Sequence, residues 1–390
     1  MITVNEALDA IFDLVTPVGT EEVPLAQASG RALATPITAT RSQPPFAASA
    51  MDGYALNGVE ADPEAMFRVI GESAAGHGYD GRVGPGECVR IFTGAPMPEG
   101  ANRVIIQEDV ERKGNLITLV RKLDKGPHVR PAGADFTPGD MIPAPRVLTP
   151  ADLALVAAMN VPTVTVTRKP VVALLATGDE LVMPGEEPGP DQIIASNAFG
   201  LKALVEANGS HARMLPIARD NADSLRTAFD LAADADLIVT IGGASVGDHD
   251  LVGDVAAELG MNQSFYKVLM RPGKPLMAGR MGDAIMIGLP GNPVSSMVCG
   301  HVFVVPALRA MLGLGKAAAA RQSAKLAAPV GPNGPREHYM RARVENGEVT
   351  IFDSQDSALL SVLAQANALA VRAPNDPART VGDDIEFLSI

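Results

Sequence analysis

The segment TIGGASVGDHD (residues 240–250) sets Gly242, Gly243 and Ser245 where backbone amides and a hydroxyl could meet a phosphate. It then adds Asp248 and Asp250, which would repel one. Adjacent glycines expose amides because no Cβ stands in the way. A hard cation resolves the contradiction, since magnesium takes oxygen ligands and is commonly shared between one or two carboxylates and a substrate's phosphates. TGDEL (177–181) supplies two further acids, so the candidate magnesium-side groups are Asp179, Glu180, Asp248 and Asp250. Each also has a plainer reading. Acids after a strand close turns or cap helices, and Asp250 opens the helical run DLVGDVAAEL.

FYKVLMRPGKP (265–275) gathers Lys267, Arg271 and Lys274 within an acidic chain, and Pro272 and Pro275 stiffen the presentation of that local positive site. In LPGNPVSS (289–296), Pro290 and Pro293 pin a turn and Pro293 suits a first helical position. The freed amides of Val294 to Ser296 then form an oxyanion site, unless Asn292 serves as an ordinary cap. PPFAASAMDGYA (44–55) adds Ser49 and Asp52, and FTGAPMPEGANRVIIQED (92–109) adds Thr93. A hydroxyl or acid in such a loop is structural more often than catalytic. Other chemistries fall away. The literal GxGxxG, GHGYDG (76–81), follows no apolar strand and opens no helix, so it fails the dinucleotide context. No GxxxxGK[ST] is present, no GxSxG elbow or Cys/His pairing argues for nucleophilic catalysis, and the six histidines show no ligand spacing.

These loops need elements to hold them. From residue 170 to about 316, strands VVALLAT, ARMLPIA, DLIVTIG and DAIMIG alternate with helical runs NAFGLKALVEANG, ADSLRTAFDLAA, DLVGDVAAEL and NPVSSMVCGHVFVVPALRAML. Such alternation predicts an α/β fold with a doubly wound, mostly parallel sheet. TGDEL, IGGASVGDHD, MRPGKP and LPGNPVSS follow strands at one predicted edge, where loops converge and helix N-termini point inward. Around this core the chain reads as multidomain. Residues 1–45 with 141–169 are expected to form a helical N-terminal domain, with Val4, Ala7, Leu8, Ile11 and Leu14 on one helical face and a second helix near LAQASGRALA. At TPADLALVAAMN, Thr149 is placed to cap a helix that Pro150 begins. Residues 46–140 read as an inserted β-rich domain, and 317–390 as a β-barrel-like C-terminal domain.

Composition narrows the partners. A net charge of −13 argues against a nucleic-acid surface, which needs lysine and arginine to release counterions. Cys88 and Cys299 lie far apart and read as reduced thiols rather than a disulfide or zinc framework. The N-terminus carries acids where a secretory signal needs a basic start. The most apolar stretch, MVCGHVFVVPALRAMLGLG, is interrupted by His301, Pro306 and Arg309. A cytoplasmic protein without membrane partners is expected.

PPFAASAMDGYA, FTGAPMPEGANRVI, TGDEL, IGGASVGD, RPGKP, LPGNPVSS and SALLSVLAQAN (357–367), in this order, make the chain resemble the MoeA family, the molybdopterin molybdenumtransferases, also represented by the C-terminal part of gephyrin. The resemblance runs nearly end to end. It implies four domains and a homodimer with its active site between the α/β domain of one subunit and the inserted domain of the other. It also implies insertion of molybdate into adenylylated molybdopterin, release of AMP, and assistance by magnesium. By motif, the resemblance assigns function to Asp52, Thr93, Glu180, Lys267, Arg271, Lys274, Pro290, Pro293, Arg341 and Ser357, with Asp220 in IARD and Asp135 in GADF less firmly matched. Asp179, Glu180, Asp248 and Asp250 are assigned to magnesium. Gly242, Gly243, Ser245, Asp220, Pro290, Gly291, Asn292, Pro293 and Ser295 are assigned to the molybdopterin nucleotide. Lys267, Arg271, Lys274, Arg341 and Ser357 take molybdate or ligand anions. GAD stands at 133–135 where GED is common, Ala358 replaces a frequent glycine, and Arg271 a frequent lysine, whose ammonium binds an oxyanion differently from a planar fork. The rival readings are the adenylyltransferase of the same pathway, which needs only the α/β domain, and a non-catalytic molybdopterin-binding scaffold or paralogue.

Overall fold

Thr3 and Thr149 begin helices by the same device. Each hydroxyl accepts the N–H three residues on, while the acid there, Glu6 or Asp152, accepts the threonine's own N–H at 2.8 Å. The helices Val4–Leu14 and Pro150–Ala158 follow. The computed structural model describes residues 1–243 and 251–390. In it the first helix buries Val4, Ala7, Leu8, Ile11 and Phe12 in one core with Val172, Leu174 and Val239, so it packs with the α/β domain rather than with the segment that follows it.

That following segment corrects the expected helical N-terminal domain. LAQASGRALA holds only a short 3-10 turn, Leu25–Gln27, and then the strand Ala32–Leu33. Leu25, Ala28, Ala32 and Leu33 are spaced acceptably for a helix, but Gly30 at φ +71° breaks it and tertiary pairing wins. The result is an antiparallel sheet in the order Thr20–Pro24, Thr163–Thr167, Ala32–Leu33, Arg146–Val147, covered by the helix Pro150–Ala158 through Val156. Between its strands, residues 46–140 form a six-stranded sheet around Tyr54, Leu56, Phe67, Ile105 and Ile117. Cys88 joins this core, and burial raises its thiol pKa to about 12.

The α/β sheet runs His211–Met214, Val171–Ala176, Leu237–Ile241, Ala284–Leu289, Met277–Met281, Asn262–Tyr266. Its first four strands are parallel, so their carboxyl ends share an edge. The last two are antiparallel additions. One face packs the first helix, Asn197–Ala207 and Pro293–Met311, and the other packs Ala222–Leu231 and Leu251–Glu258. Among the described residues Pro293–Met311 is long and apolar enough to span a membrane, yet 78% of it is buried inside the protein. It passes through a π turn at Gly300–Val304, just before Pro306, whose missing N–H could not complete an α-helical ladder.

The C-terminal strands Glu337–Glu345, Glu348–Ile351, Gln322–Leu326, Asp384–Ser389 and Ala368–Arg372 close on themselves as a barrel. Met270–Arg271 joins it as an extra strand parallel to Glu337–Glu345. The basic loop of the α/β domain is thereby tied to the barrel.

Candidate active site

The strand ends Ala176, Ile241 and Leu289 release three loops into one cavity of about 1010 Å³. Its walls include Glu180, Asp220, Gly242, Gly243, Pro290, Gly291, Asn292 and Pro293, so eight of the residues expected at a ligand site meet in one place. Asp179 stands just outside and is tied to Asp220 by reciprocal contacts: its amide donates to Asp220 Oδ2 at 3.4 Å, and its Oδ1 accepts the Asp220 amide at 3.2 Å. Ser245, Asp248 and Asp250 lie outside the described residues. Among the described residues no three acidic, histidine or cysteine side chains converge as a ready-made metal cage. Two wall carboxylates, Glu180 and Asp220, still fit the sparse protein ligation that magnesium accepts when a substrate's phosphates complete its shell.

Three expectations about anion donors change. The Gly242 amide donates to Leu289 O at 3.1 Å and is not available to a phosphate. At the start of the 293–311 helix, Val294 N–H donates to Ser357 O and Ser296 N–H to Asn292 O, each at 3.0 Å, so the oxyanion site proposed for Val294 to Ser296 is largely consumed by the fold. Asn292 makes no side-chain cap, because the Ser357 carbonyl already does that work from the C-terminal domain. Ser295 is buried and is not among the residues of the cavity walls.

The basic residues form a second cluster beside the cavity. Lys267, Arg271 and Lys274 are not in its walls, but Pro275 is, and Ala358 next to Ser357 is too. Arg271 pairs in register with His338 of the barrel. Arg341 is wholly buried; its Nη2 donates to Ser354 O at 3.3 Å and Asp356 O at 2.9 Å, holding the loop that carries Ser357. Its Nε and Nη1 have no partner. Burial, reinforced by the Arg271 charge and opposed by Asp356, lowers its pKa. His338 Nε2 is likewise unpartnered, and burial with Arg271, Arg341, Arg336 and Arg372 pushes its pKa down to about 4. Lys267 takes φ +71° and sets its ammonium 4.6 Å from the Tyr266 ring centroid.

Asp52 and Thr93 meet each other but not this cavity. The Thr93 amide and hydroxyl each donate to Asp52 Oδ1 at 2.7 Å, and these two bonds hold the exposed carboxyl below its ordinary range. No residue of 46–140 lines the cavity. Asp254 and Asn197 are among the wall residues that escaped the reading of the sequence. Asp254 sits in the first turn of Leu251–Glu258, and its only signal was its place one turn after Asp250. Asn197 donates to Gly291 O at 2.7 Å, bracing the LPGNP loop from ninety-four residues away.

Comparison with known proteins accounts for the whole chain. Residues 2–160 match the MoeA N-terminal region (domain I and II), 173–310 a probable molybdopterin-binding domain, and 323–390 the MoeA C-terminal region (domain IV). A molybdopterin molybdenumtransferase of Nostoc sp. is 35% identical over all of this chain and 94% of its own length. Molybdopterin molybdenumtransferase 2 of Mycobacterium tuberculosis is 33% identical, covering 95% of each. A crystal structure of the molybdopterin biosynthesis MoeA protein of Pyrococcus horikoshii OT3 superposes over 100% of both chains with a TM-score of 0.87 at 26% identity. With its fold, its loop-built cavity and its full-length matches in agreement, the chain belongs to the MoeA family of molybdopterin molybdenumtransferases.

Proposed function

We propose that this protein is a molybdopterin molybdenumtransferase of molybdenum cofactor biosynthesis, inserting molybdate into adenylylated molybdopterin with release of AMP. Relatives at 30–35% identity over most of the chain carry that transferase name. The observation that carries the reading is the cavity at the carboxyl edge of the parallel sheet, with an arginine-rich cluster beside it. A nucleotide-linked ligand suits the cavity, and molybdate, a dianion, suits Arg271, Lys274 and the unpartnered guanidinium atoms of Arg341. The adenylyltransferase alternative is not favoured, because the flanking regions match the MoeA models as well as the central domain does.

Glu180, with Asp220 near it, would hold magnesium against the phosphates; Asp179, Asp248 and Asp250 are further candidates. The ion would supply charge neutralisation at the phosphoanhydride as AMP leaves. The chain's own work is positional. Pro290 to Pro293 and Gly243 bound the nucleotide, the barrel loop at Ser357 closes one side, and Lys267, Arg271 and Lys274 attract molybdate. Asp52, kept ionised by Thr93, would come from the inserted domain of a second subunit in a cytoplasmic homodimer.

AMP release from adenylylated molybdopterin, measured with and without molybdate and magnesium, tests this. Molybdate-dependent release is expected, and its absence would sink the transferase reading. Adenylylation of molybdopterin by ATP would promote the adenylyltransferase instead.

A further inference from the structure

Thr177 directly follows the strand Val171–Ala176 and is fixed from both sides. Its amide donates to Ile241 O at 3.1 Å, it bridges to Ala218, and the next amide, that of Gly178, donates to Ala218 O at 3.1 Å. The side chain is 3% exposed, stands in the cavity wall, and its Oγ1 has no hydrogen-bond partner. Gly242 and Gly243, at φ +92° and +70°, fold around that hydroxyl: a Cβ on either would lie 3.3 or 3.0 Å from it. Neither glycine could carry a side chain without crowding Oγ1. A buried hydroxyl left unpaired in the free protein loses hydrogen bonds it could make in water. An oxygen-rich ligand that reached it would restore one.

We propose that the Thr177 hydroxyl is a ligand-binding donor on the cavity floor, hydrogen-bonded to a phosphate oxygen of the bound nucleotide portion. The inference rests on reading the cavity as the nucleotide site and assigns a residue to it. β-branching restricts χ1, so the donor is presented with little rotational freedom. Thr240 provides an internal control. It is also buried and its Oγ1 is also unpartnered, but it lies within the sheet against Gly288 and is absent from the cavity walls.

The test is equilibrium binding of AMP to the full chain, with thermal midpoints measured alongside. Thr177→Val should weaken AMP binding about tenfold, the scale of one hydrogen bond to a charged oxygen. Thr177→Ser, which keeps the donor, should stay within about twofold. Thr240→Val should leave AMP binding unchanged, and both valine variants should hold or raise the midpoint because an unmade bond is deleted. If Thr177→Val binds AMP like the unaltered protein, the assignment of Thr177 is overturned while the cavity reading stands. If the unaltered protein binds no AMP, the cavity reading and this proposal fall together.

Discussion

His338 shows how a single side chain records its surroundings. It sits on the barrel strand Glu337–Glu345, buried, with Nε2 unpaired and Arg271, Arg341, Arg336 and Arg372 all opposing a proton. Its folded pKa of about 4 lies below the ordinary histidine value, so the unfolded chain takes up the proton first. The resulting stability is fully present above about pH 6.5 and is lost as pH falls from there through about 4. Replacing His338 with Gln should therefore reduce the loss of urea stability between pH 7 and pH 4.5 by roughly 1–3 kcal/mol. His301, also depressed to about 4 by burial, contributes equally to both proteins and cancels in the comparison. Equal pH dependence in the two would show that His338 is not held neutral. The same cluster explains what the sequence could and could not disclose about Arg341. Its motif position marked it, but its complete burial and its grip on the carbonyls of Ser354 and Asp356 depend on barrel closure that no local pattern announces.

At the scale of the element, the RPGKP loop is a braced structure rather than a flexible basic finger. Ile2 N–H donates to Lys267 O, Leu269 N–H to Ile2 O, Val268 N–H to Lys274 O and Glu337 N–H to Leu269 O. The N-terminus and the barrel thus both hold it. Gly273 lies at φ +109° on the loop's underside, where a Cβ would come 2.5 Å from Cys299 Sγ and 3.1 Å from Met270 Sδ. Gly273→Ala should therefore lift the loop, costing about 1–3 kcal/mol of stability and lowering molybdate-dependent AMP release by tenfold or more, since small misplacements of charged groups are expensive in rate. A folded variant with unchanged AMP release would show that the loop's placement does not matter to the reaction. The bases and stiffening prolines of this loop were legible because they are contiguous. Its anchors were not, because Ile2 and Glu337 lie hundreds and tens of residues away. The parallel strands were readable from buried β-branched runs, whereas NQSFY and MAGRM carry little such pattern and become strands by pairing along the sheet's edge. Leu25 to Leu33 failed in the other direction: spacing compatible with a helix was overridden by Gly30 and by cross-strand partners.

At the scale of the whole molecule, the separation of Asp52 and Thr93 from the cavity is the feature that most constrains mechanism. The loops after the parallel strands meet as their shared edge predicts, yet the inserted domain contributes nothing to that cavity within one chain. If Asp52 acts in the same reaction as Lys274, a second copy must supply it, and two-fold symmetry then builds two equivalent composite sites. Complementation decides the matter. Asp52→Ala and Lys274→Ala should each be nearly inactive alone. In a mixed dimer both changes fall in one site and the other is left intact, so random exchange of equal amounts should restore about one quarter of the original molybdate-dependent AMP release. Different affinity tags on the two variants, purified in series, confirm that exchange has occurred and enrich the mixed dimer to about one half of full activity. Tagged mixed dimers that stay inactive would place Asp52 and Lys274 in the same chain's site or in unrelated roles. An exclusively monomeric protein retaining activity would do the same, because a monomer has no partner from which to borrow the Asp52–Thr93 pair.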